Sequence, residues 1–245
     1  MILPRDTYEL NASKICYSTA KKQILNNISL KINNKKIVGF LGPNGAGKTT
    51  FFSILAGLVP AKSGKISVQD QDVTHLPIHK RVSAGIGFLP QKTSIFLGLT
   101  VKQNLKVGLE LSSRKLNHAT QETAIEEMLE KFNLAHLRNH LGASLSGGEC
   151  RRVELARCLI CEPKFILLDE PFAGIDPITI QATKSVLKHI HAMGTGIIIS
   201  DHNTQDTLDL CDYIFLLNNG EILSEGTPEE IQKNVSAQSM YFGTK

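Results

Sequence analysis

No apolar run in this 245-residue sequence approaches the roughly 18–20 residues needed to span a bilayer. The longest, such as Tyr213–Leu217, have the length of a strand. The opening residues Met1–Asp6 lack the extended apolar stretch and small-residue cleavage site of a signal peptide, so the expectation is a chain held on the cytosolic side. A large charge excess is missing too. Lys+Arg of 27 against Asp+Glu of 23 leaves +4, too mild to indicate a nucleic-acid binder. Cysteines number five, an odd count with no dense spacing. The lone CxxC, Cys158 and Cys161, has no second pair or nearby His pair to complete the four ligands of a zinc site. It falls in a helical pattern, Glu149–Cys161, with a small apolar inner face, which predicts buried free thiols and a reducing compartment. A hydrophobic share of 42% and a charged share of 20% exclude the disordered, collagen-like and low-complexity classes. The length suits one large α/β domain, or one with an inserted lobe.

Strand-like runs occur at Tyr8–Cys16, Asn27–Ile32, Lys36–Leu41, Gly64–Val68 and Ile86–Leu89, with a helix expected over Lys48–Ala56 and closed by Gly57. From about Thr100 to Leu141 strands vanish and helical periodicity takes over; Ile125, Met128, Leu129 and Phe132 mark one amphipathic segment. Alternation returns with Phe165–Leu168, a helix at Ile178–Met193, Gly196–Ser200 and Tyr213–Leu217, which implies a mostly parallel, buried sheet. Glu221–Ser224 is expected to pair with Tyr213–Leu217 through the Asn218-Asn219-Gly220 turn. The expected architecture is an α/β core with antiparallel strands near its start and a helical lobe inserted in its middle.

Gly42, Pro43, Asn44, Gly45, Ala46, Gly47, Lys48 and Thr49 match GxxxxGK[ST], with a predicted strand before and a helix after. Glycines let the backbone curl so that successive N–H groups point at phosphate oxygens, where the next helix also aims its positive end. Lys48 supplies a point charge for the β- and γ-phosphates, and the Thr49 hydroxyl can ligate Mg²⁺. Thr50 completes the cradle at the helix start. A second cluster closes the strand Phe165–Leu168. Its end should open onto the ligand edge of a parallel sheet, where Asp169 can hold Mg²⁺ and Glu170 can polarise an attacking water. Alone, two acids there would read as solvated strand-end residues.

Ser146 followed by Glu149 is a capping box before the helix Cys150–Cys161. A well-capped helix is the plain reading. Yet Gly147 and Gly148 in a first turn weaken it by roughly 1 kcal/mol each relative to Ala, which suggests bare N–H groups meant for an anion.

The phosphate loop, Leu145-Ser146-Gly147-Gly148-Glu149 and Asp169-Glu170-Pro171, in this order, resemble the nucleotide-binding domain of ABC ATPases over essentially the whole chain. The resemblance implies a P-loop NTPase core with an antiparallel β subdomain, residues 1–245 forming one domain whose helical lobe occupies about 100–160. It implies ATP and Mg²⁺ as ligands and a head-to-tail homodimer, in which Ser146, Gly147 and Gly148 of one subunit cap ATP on the phosphate loop of the other. It further implies that Tyr17 stacks on adenine, that Gln91 senses Mg²⁺ and the attacking water, that Gly174–Pro177 crosses the dimer interface, and that His202 contacts the γ-phosphate. Seen alone, Tyr17 is a strand-end surface residue, Gln91 a loop residue and His202 a structural histidine. Cys150 departs from the usual polar residue after the signature.

The Thr100–Leu141 stretch lacks the heptads of the coiled-coil members of the family, and the length holds one such domain rather than a tandem. Leu89–Phe96, Asp169–Ile178, Asp201-His202-Asn203, Gly226–Glu229 and Tyr241–Gly243 are similar to the lipopolysaccharide-export branch. Leu97 and Gly98 stand where basic residues would be expected. This branch implies two integral inner-membrane partner subunits contacted near Phe96, a location on the cytoplasmic face of that membrane, and no direct contact with the transported substrate. An amino-acid importer subunit and an assembly ATPase without transport remain as alternatives.

Overall fold

The computed structural model describes residues 7–112 and 117–234. The opening Met1–Asp6 and Tyr241–Gly243 lie outside the described residues.

The chain opens with the antiparallel pair β1 (Glu9–Ser18) and β2 (Gln23–Asn33), then β3 (Ile37–Leu41) and α1 (Lys48–Ala56). β4 (Ser63–Val68), β5 (Gln71–Asp72), α2 (Ile78–Ala84) and β6 (Ile86–Leu89) follow. Three helices, α3 (Val101–Leu111), α4 (His118–Lys131) and α5 (Gly147–Leu159), stand between β6 and β7 (Phe165–Asp169). The last stretch is α6 (Pro177–Ala192), β8 (Gly196–Ser200), α7 (Thr204–Leu210), β9 (Tyr213–Asn218), β10 (Glu221–Gly226) and α8 (Pro228–Lys233).

Two sheets form. The first has the order β2-β1-β4-β5 and the second β10-β9-β3-β8-β7-β6. In the second sheet every pair is parallel except β9 with β10, which are joined through Asn219 and Gly220, both in left-handed backbone. Asn-Gly suits such a turn because both central residues need positive φ. β3, β7 and β8 are buried along their whole length, the behaviour of central strands covered on both faces.

One core lies between the sheets around α1. There Phe40 packs against Phe51, Phe52 and Phe215 with ring centroids 5.1–5.6 Å apart. Full burial of such a ring contributes about 1.5–3 kcal/mol. The other core joins the opposite face of the second sheet to α3, α4 and α5 through Leu105, Ile125, Leu129 and Val153. Arg81 of α2 is 1% exposed, and its guanidinium donates to the carbonyls of Ile54, Leu55, Thr74 and Leu76. It thereby adds donors to carbonyls in the last turn of α1, where intrahelical N–H groups run out and the Gly57 N–H reaches only Ile54 and Ser53.

Candidate functional site

Four neighbouring strands, β3, β8, β7 and β6, end on one edge of the second sheet. Phe40 pairs with Ser200, Ser200 with Asp169 and Leu89 with Leu168, so the four ends are level. The segments leaving them carry the phosphate loop, His202, Glu170 and Gln91. This is the carboxyl edge where open parallel sheets bind ligands.

The loop after β3 is shaped by left-handed Gly45 (φ +81) and Gly47 (φ +104). A Cβ on Gly47 would stand 2.7 Å from the Leu25 side chain, so β2 packs directly behind the loop. Asn44–Thr50, with Lys22, Ile24 and Glu170, line a cavity of about 310 Å³ at the N-terminus of α1. Lys48 is 6% exposed, and its ammonium donates to the carbonyls of Gly42 (2.5 Å) and Pro43 (3.2 Å). Burial pushes its pKa down, while Glu170, Asp169 and Asp201 oppose that shift.

Asp169 accepts from Ser200 Oγ at 2.5 Å, and Thr49 Oγ1 stands 3.4 Å from the same Oδ1. A hydroxyl and a carboxylate converging in this way are the hard oxygen donors that suit Mg²⁺. Glu170 has left-handed backbone (φ +49), a conformation that costs an L-residue about 1–2 kcal/mol, held by a 2.6 Å bond from its N–H to the Ser200 carbonyl. Its Oε2 accepts from Gln91 Nε2 at 2.7 Å and lies 3.4 Å from His202 Nδ1. Asp201, fully buried, accepts from the N–H groups of Phe172 and Asn203 and anchors the backbone on both sides of His202.

The capping box at Ser146 is present: Ser146 N–H donates to Glu149 Oε2 (2.7 Å), and Ser146 Oγ accepts from Glu149 N–H (3.4 Å). The Ser146 hydroxyl also donates to Glu149 Oε2 at 2.8 Å, and the two Ser146 donors, N–H first, hold the Glu149 carboxyl below its ordinary range. The helix starts at Gly147 rather than Cys150, so both glycines are helical, and a Cβ on either would meet nothing within 4 Å. Gly147 and Gly148 line a neighbouring cleft with Gln91, Arg151 and Glu170, and Glu170 borders the phosphate cavity as well; neither glycine nor Ser146 lines the phosphate cavity of its own chain.

Tyr17 sits on β1 opposite Leu25, partly buried against the inter-sheet core, and is not among the residues lining the phosphate cavity. Lys22 and Ile24 do line it. Sequence reasoning missed both, because they reach the cavity through the packing of one sheet on the other. Phe96 is 47% exposed, with the Arg157 guanidinium 4.9 Å from its ring centroid. It borders an apolar groove of about 410 Å³ that includes Ile78, Phe88, Leu111, Cys158 and Cys161. All five cysteines are free thiols, and burial pushes Cys158 up to about 12 and Cys161 to about 11. Cys161 falls just past the end of α5 rather than inside it. No metal-holding cluster of His, Cys, Asp or Glu occurs among the described residues.

A buried parallel strand, a glycine loop with an embedded lysine, a helix N-terminus and an acid-tipped neighbouring strand define a P-loop nucleotide-binding protein. The model of the ABC transporter family matches residues 25–173. The chain is 44% identical over 234 residues to the lipopolysaccharide export system ATP-binding protein LptB of Haemophilus influenzae, covering 96% of this chain and 97% of that protein. With its Escherichia coli K12 counterpart the identity is 43%, with the same coverage. Among solved structures, the ADP conformation of an ATP-binding cassette of an ABC transporter superposes with a TM-score of 0.85 at 25% identity, over 97% of this chain and 99% of that one. A nucleotide-free cassette gives 0.84 at 26% identity, over 96% and 97%. The chain belongs to the ABC transporter family as an ATP-hydrolysing subunit.

Proposed function

We propose that this chain is the ATPase subunit that drives lipopolysaccharide export from the inner membrane. It would act as a head-to-tail homodimer on the cytoplasmic face, beneath two integral membrane subunits. The observation that carries the catalytic reading is the meeting of Gln91, Glu170 and His202 at one carboxylate oxygen beside the phosphate cavity. The lipopolysaccharide reading rests on the 40–44% identity, over nearly the whole chain, to LptB proteins of three genera. No helix among the described residues is long and apolar enough to cross a membrane, so membrane passage would belong to partner subunits.

In this reading ATP lies along Gly42–Thr50, with its phosphates on the N–H groups of the loop and of α1. Lys48 exchanges the Gly42 and Pro43 carbonyls for phosphate oxygens. Thr49 and Asp169 would hold Mg²⁺, with Gln91 nearby, and the ion would neutralise phosphate charge. Glu170 accepts the proton of the attacking water, and His202 and Gln91 orient that water and the γ-phosphate. Phosphate and ADP are the products. Ser146, Gly147 and Gly148 close the site of the partner subunit. The test is to purify the chain from membranes with its associated subunits, identify them, and measure lipopolysaccharide release from proteoliposomes with ATP. Importer-type subunits, or none, would refute the export reading.

A further inference from the structure

Lys184 is 5% exposed, about two turns into α6. Its ammonium lies 2.6 Å from Asp206 Oδ1 and 3.6 Å from Asp209 Oδ2, both on α7. Asp206 is itself committed to the start of that helix: its N–H donates to Asn203 Oδ1 at 3.2 Å, and its Oδ2 accepts from Asn203 Nδ2 at 2.5 Å. Asn203 follows His202 directly. From the other side, Asn203 N–H donates to the buried Asp201 at 2.8 Å. Within α7 the Thr207 hydroxyl donates to the Asn203 carbonyl at 2.8 Å, and its methyl group packs against Gly39 on β3, where a Cβ would stand 2.8 Å from it. His202 is therefore strung between two fixed residues, and one of them is fixed through Lys184.

The same lysine belongs to the helix that Asp176 begins. Asp176 caps the N–H groups of Ile178 and Thr179, directly after the Gly174–Ile175 bend. The close contact is with Asp206, which is mostly buried, whereas Asp209 is about half exposed; parting the buried ammonium from Asp206 leaves it uncompensated. The ion pair ties α6 to α7.

We propose that Lys184 is a positioning residue for ATP hydrolysis. It fastens the segment carrying His202 to the helix that starts at Asp176, so that the placement of His202 against Glu170 follows the Gly174–Pro177 segment. This rests on the reading of His202 and Glu170 given above. Misplacing a reacting group by about 1 Å can cost 10²-fold in rate.

The test uses Lys184→Met, Lys184→Arg, Asp206→Asn, His202→Ala and the Lys184→Met/His202→Ala double variant in the full chain. Steady-state and single-turnover ATP hydrolysis, nucleotide affinity and melting temperature are measured for each. Lys184→Met is expected to lower kcat about ten- to hundredfold, with KM and nucleotide affinity within about twofold. Lys184→Arg, which keeps the charge, retains most of the rate. In the His202→Ala background, Lys184→Met changes the single-turnover rate less than about twofold, because the route through His202 is already lost. If His202→Ala slows hydrolysis but Lys184→Met does not, the inference fails and the site reading stands. An equal rate loss from Lys184→Met with and without His202 also overturns it, since the lysine then acts by another route. If His202→Ala hydrolyses at the parental rate, the site reading fails and takes the inference with it. Should Lys184→Met not fold, Asp206→Asn, alone and with His202→Ala, applies the same criteria.

Discussion

Gln91 donates to Glu170 Oε2 at 2.7 Å across the ends of β6 and β7. His202 Nδ1 approaches the same oxygen at 3.4 Å from the end of β8. Gln91 stands where the chain leaves the sheet for α3, so the amide that touches the carboxylate is also the first link to the helical lobe.

Glu170→Gln keeps the size of the side chain and much of its hydrogen bonding but removes the proton acceptor. Loss of a positioned base typically costs about 10²–10⁴-fold in rate. The variant is expected to bind ATP and to hold its ATP-bound dimer longer than the parent. Turnover at the parental rate would show that Glu170 is not the base.

The separation of Gly147 and Gly148 from the phosphate cavity of their own chain bears on how sites are shared. In the head-to-tail dimer proposed above, a mixture of Lys48→Ala and Gly147→Asp chains would form heterodimers in which one composite site carries both lesions and the other neither. Partial ATPase activity is expected from the mixture where each variant alone is inactive. Full activity in a species that sedimentation shows to be monomeric would end the shared-site reading.

The hairpin tip between β9 and β10 is stitched to the phosphate loop. Gly220 N–H donates to the Ala46 carbonyl at 3.1 Å, and the Gly220 carbonyl accepts from Asn26 at 2.8 Å. A Cβ on Gly220 would overlap the Ile24 carbonyl, and its φ is +80. Gly220→Ala must therefore move either the tip or β2, and both border the loop. The expected result is ATP affinity weakened about tenfold, or about 1.4 kcal/mol, read by nucleotide titration. Unchanged affinity would mean that the loop holds its shape without this support.

The parts of the molecule legible in the sequence are those whose signal is local. The phosphate loop, the acid-tipped β7, the capping box at Ser146 and the Asn219-Gly220 turn each occupy a few consecutive residues, and each formed where expected. α2 and α7 were missed because Ile78–Ala84 and Thr204–Leu210 are short and carry too little apolar periodicity to stand out. The burial of Arg81 depends on carbonyls from α1 and on Thr74 and Leu76, which only the fold assembles. Lys22 and Ile24 escaped for the same reason, and the Gln91–Glu170 bond joins residues 79 apart.

Phe96 separates packing from docking. Its ring is 47% exposed, and around it Leu97 (58%), Leu111 (49%) and Leu58 (52%) are open to solvent, so truncation leaves little buried volume to collapse. What it removes is the aromatic edge of the groove and a cation–π contact to the partly buried Arg157 guanidinium, worth about 0.5–2 kcal/mol, while Ser94 and Asn104 still hold that guanidinium. Aromatic anchors seated in a groove commonly carry about 2 kcal/mol or more of interface energy, near a thirtyfold change in affinity. Phe96→Ala is therefore expected to leave the free subunit folded and hydrolysing ATP, with its melting temperature lowered by no more than about 4 °C. Recovery of the chain with its membrane subunits should fall steeply. The two readouts oppose each other: a large drop in melting temperature with normal recovery would assign Phe96 to the fold and remove the groove from the docking surface.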